Sequence, residues 1–316
     1  MANSNKNSDA EGSLPELLPA PMAYLNPEFL NSPDGRILRI LSEYQEPLSR
    51  FRREKIQDTV VFFGSARFAS LPEAQSALTI LEKPGSARPA SLEEQPGAKD
   101  SDALQAAVKR AHAAVEMARY YEEARRLAAM LTEWTLTLPG KRHRFVVTSG
   151  GGPGIMEAAN RGAREAGGKT IGLNIRLPFE QYPNQYITPE LNFEFHYFFM
   201  RKYWFAYLAK ALVVFPGGFG TLDEFFEILT LAQTHKLAKK ILVIVYGKEY
   251  WNRVLNLEAL ADAGTISPED VNGFTMVDTP EEAFDVLKEG LTRYHLQPPA
   301  KQQATEEGPE IAKTLP

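Results

Sequence analysis

Ten consecutive residues, Phe215 to Glu224, combine the residue types that bind an anion with a carboxylate that could act on it. Their sequence, FPGGFGTLDE, lies between the apolar run 211–215 and the amphipathic run 225–235. This order predicts a strand, a glycine turn and the start of a helix. Such a junction directs backbone N–H groups and the positive helix end toward an anion, usually a phosphate. Glu224, one turn inside the helix, therefore suggests chemistry on a phosphorylated substrate.

The same residues also allow a purely structural interpretation. Thr221 and Glu224 have the T-x-x-E spacing of a capping box, in which each side chain satisfies a backbone group at the helix start. Gly217, Gly218 and Gly220 would then form only a tight turn. We favour an anion site because three glycines and a proline are packed between a buried strand and a helix.

Composition and charge exclude several classes of function. The 316 residues are 44% hydrophobic and carry a formal net charge of −5, which gives no overall attraction to nucleic acids or anionic membranes. With no cysteine, the chain has no disulfide, thiol nucleophile or cysteine metal site. The histidines lack metal-ligand spacing, so we expect no metal. A polar start without a signal-peptide core and apolar runs too short to span a bilayer favour a cytosolic protein.

Apolar strand-like runs alternate with helical patterns along most of the chain. This alternation predicts an α/β fold, a Rossmann-like doubly wound parallel sheet with helices on both faces, plus an N-terminal helical extension. Ligands of such sheets bind where the strands end. Three turns should therefore meet at one edge, and these are Gly64–Arg67, Ser149–Gly154 and Pro216–Thr221.

Four segments follow from the same patterns. We expect a disordered tail at 1–20, the helical extension at 21–55, the Rossmann-like domain at 56–295 and a disordered tail at 296–316. Within the domain, 82–101 is rich in Pro, Gly, Ser and charge and is predicted to be an inserted loop. A long helix should follow from about 102 to 135.

The two glycine-rich turns do not have the pattern of a dinucleotide site. Ile155 in the first turn and Asp223 in the second occupy the place of the third glycine of G-x-G-x-x-G. The strand after the first turn ends in Asn174 and Arg176, where NAD binding needs an acidic residue. The P-loop pattern is also absent from the sequence. A mononucleotide with one phosphate fits two short anion turns better.

Four segments resemble the LOG ("lonely guy") family, over about residues 59–277. PGGFGTLDE at 216–224 matches the family's PGGxGTxxE motif, and FFGS at 62–65 resembles its first-strand turn. SGGGPGIM at 149–156 resembles its GGGxxGLM turn. Met200-Arg201-Lys202 resembles its M-x-x-R-K helix segment, although here Met and Arg are adjacent.

The resemblance implies hydrolysis of the N-glycosidic bond of a nucleoside 5′-monophosphate, AMP or N6-substituted AMP, to a free base and ribose 5-phosphate. It also implies a homodimer that uses no cofactor. Some family members have been labelled lysine decarboxylases, but no pattern in this sequence indicates a pyridoxal-phosphate site.

Cleavage through a ribosyl cation needs a carboxylate near C1′, a donor for the leaving base and a clamp on the phosphate. By the resemblance, Glu224 acts on the ribose and the attacking water, and Arg201 is a catalytic cation beside it. The substrate-binding residues are then Ser65, Gly151, Gly152, Lys202, Gly217, Gly218, Gly220, Thr221 and Glu227.

Several of these residues also fit structural roles. Arg201 in an aromatic helix suits a cation–π or ion-pair contact, Ser65 suits a turn cap, and Lys202 and Glu227 suit a solvated helix face. Two other functions stay open as well. A binding module of the same fold would hold a nucleotide or a molybdopterin-type cofactor without catalysis. Binding of single-stranded DNA is disfavoured by the negative charge and the lack of a basic–aromatic groove.

Overall fold

The structure is a computed structural model that describes residues 19–82, 99–178, 182–234, 236 and 239–297. Most of the two expected tails and of the expected inserted loop, at 1–18, 83–98 and 298–316, lies outside these ranges. The chain divides into two compact units, 1–43 and 44–316. The first unit contains helix α1 (Pro27–Asn31) and the first residues of α2 (Arg36–Arg53). The side chain of Asn26 caps α1 by accepting from the N–H groups of Glu28 and Phe29.

The described residues of the second unit form a sheet of seven parallel strands. They are β1 (Thr59–Phe63), β2 (Val146–Ser149), β3 (Thr170–Ile175), β4 (Asn192–Phe195), β5 (Ala209–Val214), β6 (Leu242–Tyr246) and β7 (Thr275–Val277). Their order across the sheet is β4-β3-β2-β1-β5-β6-β7. The chain therefore runs outward from β1 to β4 and returns to β5 on the other side of β1. Ligands bind at such a switch point in open α/β sheets, and the predicted Rossmann-like fold is confirmed.

The described residues of this unit form eight further α-helices. They are α3 (Leu71–Glu82), α4 (Lys99–Leu136), α5 (Ile155–Glu165), α6 (Phe198–Leu208), α7 (Phe219–Gln233), α8 (Lys248–Val254), α9 (Leu257–Asp262) and α10 (Pro280–Leu291). Alternate residues of β1 explain how helices cover both faces. Phe62 belongs to a core with Leu127 of α4 and Ile155 of α5, whereas the ring of Phe63 packs 4.9 Å from that of Phe205 on α6.

The described elements differ from the expected ones at three places. Helix α3 was not expected, and α7 begins at Phe219, two residues before Thr221, where the capping-box alternative would place the N-cap. The sequence predicts one helix near 249–261, whereas the structure divides it into α8 and α9, because Leu255 is extended and Asn256 caps the second helix with its side chain. None of the described helices has the length and apolar character that a membrane crossing requires.

Candidate active site

The three predicted turns meet at the carboxyl edge of the sheet through the backbone of Ser65. Its N–H donates to the carbonyl oxygen of Pro216 at 2.9 Å, and its carbonyl oxygen accepts from the N–H of Ile155 at 3.1 Å. Gly154 sits so close to Ser65 that a Cβ on it would lie 2.3 Å from the Ser65 carbonyl oxygen. The turn after β1 is thus tied to the turns after β5 and β2.

Helix α7 begins without a side-chain cap. Its N-cap residue is Gly218, and the carbonyl oxygen of Gly218 accepts from the N–H groups of Thr221 and Leu222 at 3.0 Å each. Thr221 is therefore already inside the helix and packs on Gly217, where a Cβ would lie 2.1 Å from its Oγ1. The capping-box interpretation of Thr221 and Glu224 is wrong. Glu224 has no part in starting the helix.

Glu224 is buried beside two cations in the first turns of α7. Its Oε1 lies 3.8 Å from Nη2 of Arg201, and its Oε2 lies 3.9 Å from Nζ of Lys202. Burial raises the pKa of Glu224 to about 7, although Lys202 and Arg201 oppose the shift. Near neutral pH this carboxyl group is thus poised either to hold or to accept a proton.

Arg201, on α6, combines the site position with the cation–π role considered above. Its guanidinium carbon lies 5.3 Å from the ring centre of Phe198 and 5.5 Å from that of Phe205. The side chain is mostly buried, which lowers its pKa, and its Nε has no hydrogen-bond partner among the described residues. Arginine nevertheless remains a cation, so the site holds a desolvated positive charge beside Glu224.

Lys202 joins three carboxylates instead of pointing into solvent. Its Nζ lies 2.9 Å from Oδ2 of Asp223 and 2.7 Å from Oε2 of Glu227, in addition to its contact with Glu224. Burial opposes the charge on Lys202, but the bonds to Glu227 and Asp223 raise its pKa overall. A groove of about 430 Å³ along this face of α7 is lined by Lys202, Phe219, Leu222, Asp223, Phe226, Glu227 and Thr230.

The turn after β2 is held by a buried amide that the sequence reasoning missed. Nδ2 of Asn184 donates to the carbonyl oxygens of Gly151 at 3.0 Å and Gly152 at 3.1 Å, and lies 2.9 Å from Oδ1 of Asn160. The hydroxyl of Ser149 donates to the same Asn160 oxygen. Asn184 lies in the irregular stretch 177–190, where no periodic pattern marks it. The only local signal is Pro183 directly before it, which indicates a turn.

The structure also clarifies the arginine motif. Phe198, not Met200, occupies the place three residues before Arg201 that the M-x-x-R-K pattern gives to methionine. Met200 is buried in the core. Among the described residues, no group of three or more His, Asp or Glu side chains is arranged to hold a metal ion.

The chain is similar to one described protein family and to individual proteins. Residues 156–287 match a family described as "possible lysine decarboxylase". A probable cytokinin riboside 5′-monophosphate phosphoribohydrolase of Oryza sativa subsp. japonica is 29% identical over 162 residues, covering 48% of this chain and 70% of that protein. A cytokinin riboside 5′-monophosphate phosphoribohydrolase of Rhodococcoides fascians is 32% identical over 126 residues, covering 39% of this chain and 62% of that protein.

Among solved structures, a molybdenum cofactor carrier protein of Chlamydomonas reinhardtii is 17% identical, with a TM-score of 0.38. The match covers 74% of this chain and 99% of that one.

Proposed function

Because this chain belongs to the LOG family, we propose that it hydrolyses the N-glycosidic bond of a nucleoside 5′-monophosphate. AMP or N6-substituted AMP is the proposed substrate, and the products are a free base and ribose 5-phosphate. The observation that supports this most is the buried Glu224, 3.8 Å from Arg201 and one turn from the glycine turn at the switch point. A module that only binds nucleotides has no need for a desolvated carboxylate there.

In the proposed reaction the 5′-phosphate lies at the start of α7. The N–H groups of the turn and the positive end of the α7 dipole stabilise its charge. Gly217, Gly218, Gly220 and Thr221 form this clamp, with Ser65 at its side. Gly151 and Gly152 contribute the neighbouring turn.

Glu224 supports the bond change at C1′. As the C1′–N bond breaks, its electron pair goes to the base nitrogen, and positive charge develops on the ribose. The ionised carboxylate stabilises that charge and accepts a proton from the water whose oxygen bonds to C1′. The base nitrogen gains a proton, so one water is consumed for each bond broken. Arg201 and Lys202 favour the ionised form of Glu224 against the effect of burial, and Glu227 keeps Lys202 in place.

The test is an HPLC measurement of free base released from AMP, GMP, CMP, UMP and N6-isopentenyl-AMP. We expect release by the wild type and not by Glu224→Gln. Adenosine, which lacks the phosphate, should be a poor substrate, and equal turnover of adenosine and AMP would contradict the phosphate clamp. A folded protein that binds AMP and releases no base from any substrate would be a binding module instead.

A homodimer in the cytosol is part of the same proposal. Exposed aromatic side chains near the site support an interface, since Phe198 and Phe199 are about half exposed and Phe219 is 93% exposed. Light scattering coupled to size-exclusion chromatography tests it. A mass equal to one chain would contradict the dimer.

A further inference from the structure

We propose that Tyr250 is a positioning residue for the phosphate-binding turn and acts through the peptide between Gly217 and Gly218. Its hydroxyl donates to the carbonyl oxygen of Gly217 at 2.9 Å. Tyr250 lies on α8, which follows β6, so this bond links the turn to the next βα unit of the sheet. The inference rests on the proposed function, because it concerns the turn assigned to the 5′-phosphate.

Each carbonyl oxygen from Pro216 to Gly218 accepts a hydrogen bond from the protein. The Pro216 oxygen accepts from the N–H of Ser65, and the Gly218 oxygen accepts from the first turn of α7. The Gly217 oxygen accepts from Tyr250, and of these four bonds only this one comes from a side chain. A carbonyl oxygen facing a phosphate would repel it. These bonds therefore keep negative charge away from the place where the anion would lie.

Peptide geometry gives the Tyr250 bond its effect. The peptide bonds of the described residues are trans, and in a trans peptide the C=O and the following N–H point in opposite directions. With the Gly217 carbonyl directed at Tyr250, the N–H of Gly218 points away from Tyr250. Gly218 is the exposed N-cap of α7, with open space where a Cβ would lie. Its N–H thus joins the unpaired donors that a helix start offers to an anion.

Removing the hydroxyl should leave the surroundings of Tyr250 intact. The ring packs edge-on against Trp251, with ring centres 5.1 Å apart, and phenylalanine keeps that contact. What Tyr250→Phe loses is the restraint on one peptide. The Gly217 carbonyl is then free to rotate toward the anion.

The experiment measures binding of ribose 5-phosphate by calorimetry, which needs no turnover. We expect Tyr250→Phe to weaken binding about tenfold, the size of one hydrogen bond to a charged group. Tyr294→Phe is the matched control, since Tyr294 lies after α10 and its ring contacts Lys240 at the opposite edge of the sheet. Unchanged affinity in Tyr250→Phe, or no binding of ribose 5-phosphate by the wild type, would overturn the proposal.

A double-mutant cycle separates positioning from general stability. Gly218→Pro removes the N–H that Tyr250 aims, whereas Gly218→Ala keeps it and places its Cβ in open space. Tyr250→Phe should cost about tenfold in affinity in the Gly218→Ala background and little in the Gly218→Pro background. Equal losses in both would assign Tyr250 a structural role only. If Gly218→Pro does not fold, the comparison of Tyr250→Phe with Tyr294→Phe still decides.

The outcome also separates this inference from the proposed function. If no nucleotide releases its base but Tyr250→Phe weakens ribose 5-phosphate binding as expected, hydrolysis is refuted and the role of Tyr250 stands. If the wild type releases base and Tyr250→Phe binds ribose 5-phosphate as tightly as the wild type does, the role of Tyr250 is refuted and hydrolysis stands.

Discussion

Nη2 of Arg201 lies 3.8 Å from Oε1 of Glu224, on two helices that start at the same edge of the sheet. This separation exceeds a hydrogen bond, so each side chain keeps the capacity to contact a ligand. The Arg201 side chain is 15% exposed and that of Glu224 is 6% exposed. Burial disfavours both charges, raising the pKa of Glu224 and lowering that of Arg201. Burial of both charges therefore costs folding free energy, and both side chains remain available to contact a substrate.

Glu224→Gln should lower kcat for base release by at least about 10³-fold, the effect expected of a positioned proton-transfer group. Glutamine fills the same volume but cannot accept the proton from water. The assay is base release from AMP by HPLC under saturating substrate. Glu258→Gln, exposed on α9, is the control and should keep the wild-type rate. Substantial turnover by Glu224→Gln would remove Glu224 from the mechanism.

The pH profile should report the ionisation of Glu224. Because the ionised form is the active one and its pKa is about 7, kcat/KM should rise with pH through about 7 and then level off. Arg201→Gln removes a charge that lowers this pKa, so the midpoint should move to higher pH and the plateau should fall. Arg253→Gln, exposed on α8, is the control. A rate that falls through pH 7 would make Glu224 the acid that protonates the leaving base.

The same pKa predicts how stability changes with pH. The native state keeps the Glu224 proton up to about pH 7, whereas the unfolded chain loses it near 4.5. The native state therefore binds more protons between these values, and the free energy of unfolding falls with rising pH by roughly 3 kcal/mol. Because glutamine does not ionise, the free energy of unfolding of Glu224→Gln lacks this decrease. This variant should be more stable than the wild type at pH 8, by an amount that shrinks toward pH 5, in urea unfolding monitored by circular dichroism.

Replacing Asn184 should destabilise the protein through the turn after β2. Asn184→Leu leaves the Gly151 and Gly152 carbonyl oxygens and Oδ1 of Asn160 without this donor. Losing buried hydrogen bonds in this way costs about 3 kcal/mol. Urea unfolding measures the change, and Asn252→Leu on the exposed face of α8 is the control. Equal stability of the two variants would show that water replaces the amide.

Two glycines of the candidate site should respond to alanine in opposite ways. Gly151 has φ +76°, and a Cβ there would lie 2.3 Å from Oδ1 of Asn174, so Gly151→Ala should cost about 2 kcal/mol or more. Gly220 is inside α7 with nothing within 4 Å of a Cβ, so Gly220→Ala should add up to about 1 kcal/mol. Thermal unfolding compares them. A stable Gly151→Ala would mean that Asn174 moves aside.

Much of this fold could be predicted because apolar strands and glycine turns leave local signals. The sequence predicts the strand Thr59–Phe63 with its observed bounds, since all five of its residues are apolar or β-branched. The start of α7 could not be predicted in the same way. Gly218 caps this helix with backbone atoms only, whereas the spacing of Thr221 and Glu224 suggests a side-chain cap that does not form. For α3 a signal did exist. Ser70 and Glu73 have the S-x-x-E spacing of a capping box, and the N–H of Ser70 donates to Oε2 of Glu73 at 3.1 Å.

The candidate site shows a second limit of sequence reasoning. Glu224 and the glycines of its turn share one motif and could be found together. Asn184 and Tyr250 could not, because each reaches a glycine carbonyl only after the sheet has formed. Asn184 reaches Gly151 from an irregular stretch, and Tyr250 reaches Gly217 from a helix on the next strand unit. Contacts of this kind depend on topology, and no spacing in the chain encodes them.

The tie at Ser65 has a consequence for how such sites diverge. Both bonds that join its turn to the other two are made by main-chain atoms, the N–H to Pro216 and the carbonyl to Ile155. The serine side chain takes no part in them, so the residue could be exchanged while the three turns stayed assembled. Gly154 cannot be exchanged in this way, because a Cβ at its position would lie 2.3 Å from the Ser65 carbonyl oxygen. Substitutions should therefore accumulate at position 65 and be eliminated at position 154.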